Sequence, residues 1–333
     1  MSQSSLQPVS PELLFKGRPG DPRLGEWVKT DQKVPLQKLA EKEAIVIVGF
    51  PDDEGVTRNR GRAGAKHGPD GTRKHFYKLC PPMDMEWEKK IELYDNGNIT
   101  VGPQIEATHA HAQAASQQVA ELGATLITIG GGHDFAAPAF LGFKAGQELA
   151  HRKARKLALI NIDPHLDLRP LENNLPHSGT PFRVILEAKA AASVTEFGIR
   201  QNRNARSHYQ YAVDNGVDIF TLDQIRGSRK TAPALFESEV KRLAKTHDAV
   251  GITVDMDSCF EAEGTSAAPV LGFSAQELCE MAFIAGREKK VKWFDVSEAA
   301  PNLDGSERIC RIASEIVFHF LWGRAQMLLK KRP

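Results

Sequence analysis

The chain has 333 residues, 41% of them hydrophobic, and 43 Lys and Arg balance 42 Asp and Glu to a formal charge of +1. That length supports a large buried core, and the even charge argues against nucleic acid or an anionic membrane as partner. The four scattered cysteines, Cys80, Cys259, Cys279 and Cys310, exclude a disulfide framework and fit a reducing, cytoplasmic setting.

Residues 1–40 are polar, with prolines at 8, 11, 19, 22 and 35, and predict an irregular arm without the basic start and apolar core of a secretory signal. Beyond it, over 41–333, one pattern repeats without an internal linker, which predicts a single domain. Short apolar, β-branched runs end abruptly in Gly, Asp, His or Arg, and a helical stretch follows each. The runs are Ala44–Phe50, Thr125–Ile129, Leu157–Ile162, Val194–Ile199, Val217–Leu222, Val250–Val254 and Val291–Val296. Thr108–Leu122 and Phe236–His247 read as amphipathic helices, and Ser306–Leu329 as a long apolar one. Continuous apolar strands alternating with helices predict a doubly wound α/β fold with a mostly parallel sheet, whose ligands bind beyond the strands' C-terminal ends. No run is long enough to span a bilayer.

Three strand ends carry ligand-type residues: Gly130-Gly131-Gly132-His133, then Asp163-Pro164-His165-Leu166-Asp167, then Asp255-Met256-Asp257. Residues two apart in an extended segment face the same way, so Asp163, His165 and Asp167 converge if the strand continues, as do Asp255 and Asp257. Each motif alone has an ordinary explanation, since glycines serve turns and a strand-end Asp caps helices. Together they place four carboxylates and two imidazoles at one edge, where they repel unless cations neutralise them. Two divalent ions do so, and oxygen ligands with imidazole and no thiolate suit manganese better than zinc.

With these motifs the sequence resembles the ureohydrolase superfamily of arginase, agmatinase, guanidinobutyrase and formimidoylglutamase, from about Ile45 to the C-terminal helix. The resemblance implies a three-layer, arginase-like fold and two Mn2+ per chain. One ion would bind His133, Asp163, Asp167 and Asp255, and the other Asp163, His165, Asp255 and Asp257. A water bridging both ions would supply hydroxide to attack the amidine or guanidine carbon. Asp167 would orient it and pass its proton on, and Glu298, in Asp295-Val296-Ser297-Glu298, would hold the cationic amidine. The family also implies a small-molecule substrate and a homotrimer or homohexamer.

Ser178-Gly179-Thr180-Pro181-Phe182 resembles the formimidoylglutamase branch, as do Gly264–Phe273, Gly198–Asn202 and Asn59–Ala65. The histidine that agmatinases place before G-T-P-F is Ser178 here, and His177 stands one place early. The resemblance marks Ser178, Thr180, Asn202, Arg60 and Arg203 as substrate residues. Formiminoglutamate has two carboxylates, and arginines recur in these loops at 58, 60, 62, 169, 183, 200 and 203. The expected reaction gives L-glutamate and formamide, a step of histidine breakdown. The alternatives are a urea-releasing agmatinase, guanidinobutyrase or arginase using His177, a catalytically silent metal binder, and a one-zinc deacetylase on a related fold.

Overall fold

The computed structural model describes residues 6–30, 43–261 and 263–329. The rest of the expected arm, residues 1–5 and 31–40, lies outside them. Among the described residues the strands are β1 (Leu6–Gln7), β2 (Glu43–Gly49), β3 (Ile91–Ile99), β4 (Thr125–Ile129), β5 (Leu157–Ile162), β6 (Ser193–Ile199), β7 (Asp218–Thr221), β8 (Ala249–Asp255) and β9 (Val291–Ser297). They form one sheet in the order β1-β3-β2-β4-β9-β8-β5-β6-β7, parallel except for β1. The helices are α1 (Glu54–Arg58), α2 (Gly68–Phe76), α3 (Ile105–Glu121), α4 (Ala136–His151), α5 (Pro181–Glu187), α6 (Arg206–Asp214), α7 (Leu222–Gly227), α8 (Ala232–Thr246), α9 (Ala275–Arg287) and α10 (Arg308–Leu329).

The central strands are buried along almost their whole length, because helices cover both faces. One core layer packs Phe76, Phe236, Leu278 and Ile316 of α2, α8, α9 and α10 against the sheet, and the other packs Ala112, Phe140 and Ile185 of α3, α4 and α5. This is the expected three-layer, doubly wound arrangement. From β5 the chain moves outward to β6, and from β8 it moves the other way to β9. The β5–β8 crevice is therefore a topological switch point, where such sheets bind ligands.

Two strands were not anticipated. β1 shows that the arm is not wholly irregular, since Leu6 and Gln7 pair antiparallel with Ile99 and Asn98. β3 reads as polar because Asp95 is buried in it. That carboxylate accepts from Arg73 Nε at 2.8 Å and Nη2 at 2.9 Å and from the Tyr77 hydroxyl at 2.6 Å. A buried charge persists only when paired in this way.

Candidate metal centre

β4 ends at Ile129, and the three glycines lead into a tight turn at His133–Phe135. Gly131 has to lack a side chain, since a Cβ there would lie 1.9 Å from the Asp52 carbonyl oxygen. The route expected for Asp167 is corrected: β5 stops at Ile162, and Asp167 reaches the centre through a left-handed backbone, φ 45°, rather than along a continuing strand. Asp255 closes β8, whereas Asp257 sits in the turn Met256–Ser258 and donates its N–H to Asp255 Oδ1 at 2.6 Å.

His133 Nδ1 faces three carboxylates, at 3.2 Å from Asp163 Oδ2, 3.0 Å from Asp167 Oδ2 and 3.1 Å from Asp255 Oδ2. These four residues bring one ligand atom each within 4.8 Å of one another. His165 Nδ1 lies 3.3 Å from Asp163 Oδ1 and 3.7 Å from Asp257 Oδ2. Asp163 thus turns one oxygen to each imidazole, and the six expected residues form two clusters joined through it.

The bonds beneath this set fix its donor character. Thr253 donates its hydroxyl proton to Asp295 Oδ2 at 2.8 Å, so its oxygen accepts from His133 Nε2, 3.0 Å away. Asp295 also accepts from Thr128 at 2.5 Å and Ser297 at 2.6 Å. With a proton fixed on Nε2, His133 turns Nδ1 toward three carboxylate oxygens, which raise its pKa well above the ordinary value although burial opposes the charge; a cation that displaces the Nδ1 proton finds a lone pair there. Acceptors crowded at one point call for a cation. Burial and then the Asp163 charge push Asp167 up to about 6. Burial with neighbouring carboxylates raises Asp255 and Glu298 well above the usual range. His165 is raised to about 10 by Asp163 and Asp257 although burial opposes its charge. A proton neutralises one charge of this set, whereas two divalent ions match all four carboxylates, so the residues fit a hard divalent metal.

Glu298 has a left-handed backbone, φ 69°, and is clamped onto the first strand end. Its N–H donates to the Gly131 carbonyl at 2.9 Å and its Oε1 accepts the His133 N–H at 2.9 Å. Its buried Oε2 has no partner among the described residues. Above these groups opens a cavity of about 520 Å³ lined by His133, His165, Asp167, Asp255, Asp257 and Glu298.

Of the expected substrate residues, Ser178, Asn202, Arg60 and Arg203 stand on the cavity wall. Thr180 does not, and this is a correction. Its hydroxyl donates to the His177 carbonyl at 2.7 Å and accepts the His177 N–H at 3.1 Å, closing a turn beside a separate cavity of about 340 Å³. His177 is also off the wall, its Nδ1 accepting the Gly179 N–H at 3.1 Å. Asn204 and His208 stand on the wall outside every quoted motif, Asn59 and Ser266 lie within quoted segments but were given no role of their own, and Arg169 was marked only as one arginine of many. Asn204 joins two loops, accepting from Leu166 N and donating to the Pro164 and Arg200 carbonyls. Nothing local in the sequence marks such long-range partners. Gly179 lets one of them approach, since a Cβ there would lie 2.8 Å from the Arg169 side chain.

Fold and donor set together define a doubly wound α/β protein with a His/Asp metal-binding cluster at the switch point of its sheet. A model of the arginase family matches residues 43–323. A formimidoylglutamase of Staphylococcus haemolyticus is 30% identical over 296 residues, 86% of this chain and 88% of that one. A formimidoylglutamase of Rhodococcus opacus is 31% identical over 297 residues, 87% and 89% of the two chains. The crystal structure of Trypanosoma cruzi formiminoglutamase with Mn2+ is 32% identical, with a TM-score of 0.78 over 94% of this chain and 100% of that one. The chain belongs to the arginase family, and with it to the hydrolases. No helix among the described residues is long and apolar enough to cross a membrane.

Proposed function

We propose that the chain hydrolyses N-formimino-L-glutamate to L-glutamate and formamide, with manganese as its metal. The observation that carries this reading is the wall above the carboxylate set. Arg60, Arg169 and Arg203 line the cavity, and their guanidinium groups form no hydrogen bond or ion pair among the described residues. Arg58, Arg62, Arg183 and Arg200, by contrast, are bonded to Glu106, the Thr265 carbonyl, Glu187 and the Leu271 carbonyl. Free guanidiniums match a substrate with two carboxylates, and agmatine, which has none, would leave them unused. The names of the similar formimidoylglutamases support the same substrate.

His133, Asp163, Asp167 and Asp255 would hold one ion, and Asp163, His165, Asp255 and Asp257 the other. When bound there, divalent metal would lower the pKa of a water and supply hydroxide at neutral pH. The unpartnered Glu298 Oε2 accepts an N–H of the amidine and sets its carbon over the cluster. Addition of water forms a C–O bond, and cleavage of the bond to the glutamate nitrogen releases formamide. Asp167, on the cavity wall and within 3.0 Å of His133, takes the proton lost by the water and returns it to the leaving amine.

A substrate panel with added manganese tests the reading. Formamide is expected from formiminoglutamate, with little or no urea from arginine, agmatine or guanidinobutyrate. Urea release without turnover of formiminoglutamate overturns it. His177, the residue an agmatinase reading relied on, lies off the cavity wall, so nothing in the site favours that alternative.

A further inference from the structure

Strand register arranges the side chains beneath the centre in rows. Leu126, Trp293, Gly251, Leu159 and Val194 form an apolar row across β4, β9, β8, β5 and β6. The next row toward the strands' C-terminal ends is polar throughout: Thr128, Asp295, Thr253, Asn161 and Glu196. Every member is fully buried. One end of this row, Thr128 and Thr253 on Asp295, sets the tautomer of His133. The other end, Asn161 with Glu196, has no part in the chemistry described so far.

Asn161 Nδ2 donates to Glu196 Oε2 at 2.8 Å and reaches Asp163 Oδ2 at 3.4 Å. Asn161 and Asp163 are two residues apart on one face, which puts the amide directly below the carboxylate. A side-chain amide can sit either way round, and only one way suits this place. Turned over, Asn161 would present its oxygen to the Asp163 carboxylate, acceptor against acceptor. Burial holds the Glu196 carboxyl well above the usual carboxylate range, and its Oε2 accepts from the same amide and so anchors the orientation that suits Asp163. Packing does not explain the pair, because Leu159 and Val194 fill the same two strands one row below at no cost in buried polarity. Nor are the two groups fully satisfied, since Asn161 Oδ1 and Glu196 Oε1 have no partner among the described residues.

We propose that Glu196 and Asn161 are positioning residues for Asp163: Glu196 fixes the Asn161 amide, and the amide holds the carboxylate that joins the two metal clusters. The inference rests on the metal reading above.

Manganese affinity, measured by competition with a chelating dye on the full chain, tests it alongside melting temperatures with and without manganese. Glu196→Leu should weaken manganese binding about 10- to 100-fold and shrink the metal-dependent rise in melting temperature. Glu196→Gln, which keeps an acceptor oxygen, should stay within about threefold of the parent on the same scale. Asn161→Ala should match Glu196→Leu, and the double variant should be no worse than either, because both act through one amide. If Glu196→Leu does not fold, Asn161→Ala decides on the same readout. Equal losses of melting temperature with and without metal, at unchanged affinity, mean a structural role only and overturn the proposal. A parent chain that binds no manganese overturns the metal reading itself, whereas two ions in the parent with unchanged affinity in both variants sinks this inference alone.

Discussion

His133, Asp163 and Asp255 stand at the ends of strands held by neighbours on both sides, whereas Arg60, Arg169 and Arg203 stand on loops and a short turn, with guanidinium groups that form no hydrogen bond or ion pair among the described residues. The floor is positioned by backbone ladders and a buried polar row, so its geometry is set before any ligand arrives. The walls keep unpaired charge, which on the proposed reading meets an anionic substrate, at the cost of ordering those side chains on binding. On the proposed reading, reaction type belongs to the floor and substrate choice to the walls.

The comparison breaks most directly at the floor. Asp163→Ala or Asp255→Ala should remove both ions and lower turnover by at least about 10³-fold. His133→Ala should deplete mainly one ion, and elemental analysis that finds both equally lost in it would show the two clusters misassigned. At the walls, Arg169→Ala or Arg60→Ala should raise KM about 10- to 100-fold, the scale of a lost charge-assisted hydrogen bond, at unchanged metal content. Lysine at either place should restore little, and a KM unchanged by both alanine variants would remove the walls from recognition.

A pH series sharpens the contrast. In the metal-free chain Asp167 is raised from its ordinary value to about 6, so the folded state keeps a proton that the unfolded chain releases between about pH 4 and 6. His165, raised to about 10, contributes stability that is complete below about 6.5 and lost as pH rises toward 10. Both effects run the same way. Chelator-treated protein should lose on the order of 2 kcal/mol between pH 4 and 7 through Asp167, and manganese should abolish this dependence. Denaturant melts of the two forms that run parallel across pH would contradict it. The smallest effect is expected at His177→Ala, off the wall, where kcat/KM should change by less than about threefold, within the range of surface changes.

Most of the floor was legible in the sequence, because apolar strands ending in ligand-type residues are a local pattern. Thr125–Ile129 and Leu157–Ile162 appear with those bounds. β3 was hidden, since Asp95 makes sense only beside Arg73 on α2. The walls were legible in part. Ser178, Asn202, Arg60 and Arg203 line the cavity, but Thr180, in the same motif as Ser178, faces away because its hydroxyl is spent on His177. His208 and Asn204 carry no local signature, and only the folded chain brings them to the site.

Asp167 and Glu298 both hold a backbone that side-chain-bearing residues rarely adopt. Each such residue costs on the order of 1 kcal/mol, and glycine would relieve it. A search for sturdier variants of this protein, scored on melting temperature alone, would therefore be drawn to Asp167→Gly and Glu298→Gly. It would harvest stability by deleting the groups proposed to move the proton and hold the amidine. The two positions mark where robustness and activity pull apart, and any engineering of this chain has to exempt them.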